Sequence, residues 1–294
     1  MKVEVKPGKY VLAVSGGVDS MVLLDLLAKK PGIELVVAHF NHGIRPESVE
    51  DEELVRQKAK ELGLAFEVGY GRLGGGASEE AARKARYKFL NDVQQKHQTQ
   101  AIITAHHQDD LIETAIINML RGTGRRGLVA ILSNQKITRP LLGHSKKGIV
   151  NYAKQQGLEW HEDQTNRDDS YLRNYIRSHL MPDLTKRQRE NILQNIDKVA
   201  KTDIEIDDQI AKLSQLIYTH NQIDRQSFSS LPVHLGEELV LYWLRQLKVF
   251  NFDKKTINRL SLAIKTSRPN TVCPVQSDIK LLISQKTAQF SHRV

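Results

Sequence analysis

The sequence predicts an α/β fold: a parallel five-stranded sheet with helices on both faces, followed by a smaller, mainly helical domain. Three observations carry this. Short, β-branched apolar runs alternate with amphipathic helical stretches through the first half of the chain. The first run breaks on Ser15-Gly16-Gly17 and reopens at once as a helical pattern. Beyond about Gly157 the alternation stops, and a long helical periodicity takes over from Leu184. Strand–helix units of this length imply parallel strands joined by crossovers that cover both faces of the sheet. Met181-Pro182 marks the expected boundary, with residues 1–184 as one domain and 185–294 as the second.

Taken in order, Tyr10–Val14, Ile33–Phe40, Ala65–Gly69, Ala101–Ala105 and Lys136–Leu141 read as strands. Helices are expected near Val18–Lys29, Ser48–Leu62, Ser78–Lys96, Asp109–Leu120 and Ser145–Gln156, with Pro31-Gly32 and Gly63 as stop signals. From Leu184 to His220 apolar residues recur at helical spacing: Ile192, Ile196, Val199, Ile206, Ile210, Leu213 and Ile217. Two shorter helices, Gly236–Leu247 and Lys254–Ile264, follow. Thr271–Phe290 alternates enough for a small hairpin.

The chain of 294 residues is 40% hydrophobic and 26% charged, an ordinary globular composition with no apolar run long enough for a membrane span. No apolar leader core occupies residues 1–9, so a cytoplasmic protein is expected. Cys273 is the only cysteine, which excludes internal disulfides, cysteine zinc clusters and paired-cysteine redox chemistry. The net charge of +9 is concentrated in residues 185–294 and in the acid-free window Thr114–Leu158. Such a surface suits polyanions, nucleic acid above all.

The chemistry centres on Ser15-Gly-Gly-Val-Asp-Ser20. A strand that breaks on small residues and reopens as a helix aims backbone N–H groups and the positive end of a helix dipole at one spot, where a phosphate chain can sit. Asp19 is out of place there unless a cation such as Mg²⁺ lies between it and the phosphate. No Gly-Lys-Ser/Thr triplet occurs, so this is not a Walker A loop. After the fourth strand, Asp110 and Glu113 share a helix face with His106, and paired carboxylates at a sheet rim need a cation, either Mg²⁺ or an ammonium. Capping of the helix dipole is an alternative for Asp109 or Asp110 but not for Glu113. His42 and Arg45 follow the second strand, as ligand contacts or as ordinary loop residues. Arg83 and Arg86 put a basic face on the third helix, for phosphate or simply for solvent. Arg121, Arg125 and Arg126 lie in a glycine-rich loop fit for a polyanion. Arg173 and Arg177 lie four apart, either to stabilise a phosphate or to pair with Asp168 or Asp169.

The hexapeptide matches the loop of the N-type ATP pyrophosphatases (the PP-loop superfamily, with its Rossmann-like HUP fold), which cleave ATP to AMP and pyrophosphate. Together with Asn41-His-Gly-Ile-Arg45, Ala82–Tyr87, Ala105–Thr114, Leu120–Leu128 and Arg173–Arg177, the chain resembles the tRNA(Ile)-lysidine synthase family. The resemblance implies ATP on Ser15, Gly16, Gly17, Val18, Asp19 and Ser20, with Ala38 and His42 beside it, and Mg²⁺ on Asp19. It implies L-lysine on Asp110 and Glu113, with Arg173 and Arg177 near the reacting phosphate or RNA. The expected catalytic set is therefore Asp19, Asp110, Glu113, Arg173 and Arg177, with tRNA held by Arg83, Arg86, Arg121, Arg125, Arg126 and the C-terminal domain. The reaction it implies converts the wobble cytidine of an isoleucine tRNA with anticodon CAU to lysidine; no membrane is involved, and a homodimer is compatible with it. Some members of the family continue into a further small domain, and this chain is expected to stop before it. A thiolating, a small-molecule amidating or a non-catalytic RNA-binding relative are the alternatives; the position of Cys273 counts against the first.

Overall fold

The computed structural model describes residues 1–43, 48–71, 79–132, 137–161, 172–249, 252–276 and 278–292. Arg45, Ser78, Lys136, Asp168 and Asp169 therefore lie outside the described residues. The chain divides into two compact units, Met1–Ala200 and Lys201–Val294.

In the first unit, β1 (Gly8–Ala13) leads through α1 (Val18–Ala28), β2 (Ile33–Asn41), α2 (Ser48–Glu61), β3 (Ala65–Tyr70) and α3 (Glu79–Lys96) to β4 (Ala101–Ile103). Then come α4 (Gln108–Leu120), α5 (Arg125–Leu128), β5 (Ile137–Thr138), α6 (Lys146–Gln156), α7 (Leu172–Tyr175) and a π-helical turn, Ile176–Leu180. The helix α8 (Lys186–Ile217) follows, and the division between the units falls inside it. The five strands pair in parallel in the order β3-β2-β1-β4-β5. The direction of winding reverses between β1 and β4, so the crevice beyond their carboxyl ends is the place for a ligand.

The alternation of side chains along β1 explains why both faces are covered. Leu12 and Val14 pack with Met21, Leu24 and Leu27 of α1, Val55 of α2 and Ile149 of α6. Val11 points the other way, against Leu90 and Val93 of α3. A strand buried on both sides is apolar at every position, which is how β1 and β2 read in the sequence. The fifth strand is shorter than expected, because only Ile137 and Thr138 pair with Ile102 and Ile103.

In the second unit, β6 (Tyr218–Thr219), β7 (Gln222–Asp224), α9 (Arg225–Ser230), α10 (Val233–Gln246) and α11 (Lys254–Thr266) precede β8 (Thr271–Pro274), β9 (Ile279–Ile283) and β10 (Thr287–His292). These strands form an antiparallel sheet of order β6-β7-β10-β9-β8, larger than the expected hairpin. The tight turn between β6 and β7 has His220 and Asn221 at φ 50 and 63, the backbone of a type I′ hairpin, and it ends the long helix three residues before His220. Ile223, Phe228, Leu239, Leu260 and Leu281 fill the core, and buried Trp243 donates its Nε1–H to Ser214 Oγ at 2.7 Å.

Candidate active site

The loop after β1 is built to present backbone donors. Gly16 has φ +91, a left-handed conformation that disfavours any side chain, and a Cβ there would lie 3.3 Å from Asp51 Cβ of α2. The buried hydroxyl of Ser20 braces the turn: it accepts from the Ser15 N–H at 3.1 Å and donates to the Gly17 carbonyl at 2.9 Å. Ser20 therefore holds the loop shut, and Ser15 Oγ lies 3.2 Å from it. The Gly16 carbonyl accepts from the His161 N–H at 3.1 Å, and His161 Nδ1–H donates to Asp51 at 2.8 Å. Below the loop, buried His39 donates its Nδ1–H to the Val14 carbonyl at 2.9 Å, and burial pushes its pKa down. What is left are the N–H groups of Gly16, Val18 and Asp19, which meet no acceptor among the described residues. Together with the dipole of α1 they form an anion cradle.

Asp19 faces an ammonium and an imidazole. Lys146, the first residue of α6, donates from Nζ to both carboxylate oxygens at 2.7 Å. His107 Nε2 lies 3.6 Å from Asp19 and 3.5 Å from Asp110. Burial alone would raise the Asp19 pKa, but the hydrogen bonds and charges of His107 and Lys146 hold it below its ordinary value. His107 caps α4: its Nδ1 accepts from the Asp109 N–H at 3.2 Å, while its own N–H donates to Asp110 Oδ2 at 2.9 Å. The capping bond keeps Nδ1 as an acceptor and turns Nε2 toward the two carboxylates. Burial works to lower the His107 pKa, and its acidic neighbours Asp19 and Asp110 raise it.

The cation between Asp110 and Glu113 is a guanidinium. Arg177, in the π-helical turn, donates from Nε and Nη2 to the two oxygens of Glu113 at 2.9 and 2.8 Å, and from Nη2 to Asp110 at 3.4 Å. Glu113 is 1% exposed; burial raises its pKa, against the pull of Arg177. Arg173 Nη2 donates to Thr114 Oγ1 at 3.3 Å. Asp109 is held by Arg189 of α8, whose Nη1 donates to it at 2.9 Å and whose Nη2 donates to the Met181 carbonyl.

A second, basic group closes the other side. Arg83 and Arg86 of α3 lie over the Tyr87 ring at 4.9 and 5.4 Å from its centroid. His106 lies 2.8 Å from Thr104 Oγ1; burial drives its pKa to about 4 against the opposing charge of Asp110, with Arg139, Arg86 and Arg83 adding to the fall. His106 is thus neutral near pH 7. Ala38 has its side chain in the core against α3 and its carbonyl on the Val14 N–H at 3.0 Å. His42 packs edge-on against Phe40, with centroids 4.9 Å apart. Arg121 caps the far end of α4, on the order of 16 Å along its axis from Asp110, and Arg125 and Arg126 open α5.

The structure therefore gathers Asp19, Asp110, Glu113 and Arg177 on one rim, with Arg121 at the other end of α4. It adds Lys146, His107, His39 and Arg139, which sequence reasoning did not single out. The signal for Lys146 was a lysine just after the Ser145 cap, where the helix dipole disfavours it. As a metal site the rim fits poorly: among the described residues no group of three His, Cys, Asp or Glu could hold an ion, and both oxygens of Asp19 are taken by Lys146.

A family model for a PP-loop domain, ATP_bind_3, matches residues 1–184. A tRNA(Ile)-lysidine synthase of Thermus thermophilus is 42% identical over 184 residues, 60% of this chain and 36% of that protein. The enzyme of the same name from Chlorobaculum tepidum is 32% identical over 267 residues, 87% of this chain and 77% of its own length. That of Streptococcus sanguinis is 33% identical over 284 residues, 93% and 63%. The chain thus spans from about a third to three quarters of the length of these relatives. The solved U34-tRNA thiolase NcsA of Methanococcus maripaludis, 18% identical, superposes over 67% of this chain and 74% of its own with a TM-score of 0.54, which shows a shared fold. With the donor loop at the switch point and these matches, the chain belongs to the PP-loop family and, within it, to the tRNA(Ile)-lysidine synthases.

Proposed function

We propose that the chain converts the wobble cytidine of tRNA(Ile) with anticodon CAU to lysidine, consuming L-lysine and ATP and releasing AMP and pyrophosphate. One observation carries the reading: the three loop N–H groups that meet no acceptor among the described residues and the Asp110–Glu113 pair stand on one rim, bridged by Asp19 and His107. The donors suit the polyphosphate of ATP; the acids suit an ammonium. Mg²⁺ would arrive with ATP, since the described residues build no ion site.

Cytosine C2 is a poor electrophile while its oxygen is an amide carbonyl. In the proposed sequence that oxygen attacks the α-phosphorus and pyrophosphate departs into the N–H cradle. The lysine ε-amine then attacks C2, and AMP leaves carrying the oxygen. The amine must be neutral, although its free pKa of about 10.4 leaves it protonated at pH 7. Asp110 and Glu113 therefore hold the α-ammonium of lysine, or meet the ε-amine only in passing to accept its proton. Lysine would compete with Arg177 for these acids, and the displaced guanidinium, with Arg173, would serve the phosphate. Arg83, Arg86, Arg121, Arg125, Arg126 and the second unit would hold tRNA.

Single-turnover pyrophosphate release tests the order. It is expected to require tRNA and to survive omission of lysine, whereas lysidine formation requires both. A burst that needs lysine but not tRNA would indicate an aminoacyl adenylate and reject this mechanism.

A further inference from the structure

We infer that Lys146 is a substrate-contacting residue, whose ammonium binds the phosphates of ATP from its station on Asp19; the inference rests on the ATP reading above. Four observations point to it. Lys146 Nζ spans both oxygens of Asp19 at 2.7 Å, which ties it to a residue whose own backbone N–H belongs to the cradle. Two of its three protons are spent there, and the third remains for a ligand. Its side chain keeps 42% of its surface in solvent, so it is reachable without opening the fold.

Lys146 also opens α6, where the helix dipole opposes a cation. Its backbone is fixed at that point by two bonds: the Ser145 hydroxyl accepts from the Gly148 N–H at 3.3 Å, and the Lys146 N–H donates to Asp109 at 3.4 Å. An ion pair this exposed adds little to stability, so folding alone does not account for a lysine held against the dipole. A carboxylate inside an anion cradle does: without a cation at Asp19 the loop would repel the phosphate its donors attract.

The test is calorimetric binding of ATP, with adenosine as the phosphate-free probe and magnesium constant. Lys146→Met is expected to weaken ATP at least tenfold, leave adenosine within twofold and move the melting temperature by less than about 2 °C. Lys146→Arg should restore ATP affinity to within threefold. Contact is separated from mere neutralisation by adding Asp19→Asn to Lys146→Met, which should leave ATP binding weak. Full recovery in that double variant, or a Lys146→Met chain that binds ATP as wild type does, overturns the inference while the ATP reading stands. A wild-type chain that binds ATP no better than adenosine overturns both.

Discussion

His106 and His107 are neighbours in sequence with opposite electrostatic fates. Burial drives His106 down to about 4, so its neutral form stabilises the fold above its unfolded pKa of about 6.5, and that contribution is lost as pH falls toward 4. His107 is raised by Asp19 and Asp110 despite its burial, so its contribution is complete below about 6.5 and fades as pH rises through its folded value. NMR titration of the two rings should find His106 well below 6.5 and His107 above it; coincident titrations would mean the acids and arginines do not act as described. A second expectation concerns Glu113→Gln, which leaves the Arg177 guanidinium half-paired against a side chain only 2% exposed. Denaturant unfolding should register a loss of about 2–4 kcal/mol, below the figure for a sealed pair because Arg177 is 36% exposed. A loss under about 0.5 kcal/mol would deny the fork any structural part. Asp19, Asp110, Glu113 and Arg177 were legible because local spacing put each on a loop or helix face. Lys146 was not, since its partner lies 127 residues away and only the packing of α6 on α1 unites them. The cation demanded by the Asp110–Glu113 pair was legible as a need, but its identity as Arg177 was not, for the same reason.

At the scale of elements, β1 and the turn after it do most of the positioning. Leu12 is fully buried between α1 and α6, and Leu12→Ala should cost about 2–5 kcal/mol, measured by denaturant unfolding. Gly16→Ala acts differently: φ +91 and the nearby Asp51 Cβ force the loop to shift, at about 1–3 kcal/mol of strain. Because that strain falls on the cradle itself, ATP affinity should drop tenfold or more in a chain that still melts cooperatively; unchanged affinity would mean the cradle tolerates another backbone. The five parallel strands and the helices α1 to α4 were readable because apolar runs and helical periodicity alternate along the chain, even where, as in β4, only three residues pair. β5 was readable as an apolar run, though longer than the two residues that pair, whereas β6 and β7, of two and three residues, gave no alternation to read, and β7 depends on β10, distant in sequence. The cap of α4 escaped notice because it is a histidine, outside the usual Ser, Thr, Asp and Asn.

For the whole molecule, the net charge of +9 and the membership of a tRNA-modifying family point to a large electrostatic share in substrate binding. No described helix is long and apolar enough to cross a membrane. If six to ten phosphates are neutralised, tRNA affinity should fall by about 10³ to 10⁵ between 50 and 200 mM salt. ATP meets a small cradle of fixed N–H groups and Lys146, so its affinity should change far less over the same range. Filter binding of tRNA beside calorimetry of ATP would compare the two on one preparation. Neutralising one phosphate contact, as in Arg125→Gln or Arg86→Gln, should reduce the tRNA salt slope by about one unit. The two variants should nonetheless differ. Arg125 opens α5, in the loop that follows α4, so its loss should weaken every tRNA alike and leave ATP binding unchanged. Arg86 sits in the field of His106, so its loss should also raise the His106 pKa and alter turnover of bound tRNA. A flat salt dependence for tRNA, with both variants binding normally, would remove the basic surface from substrate recognition and leave its charge to solubility alone.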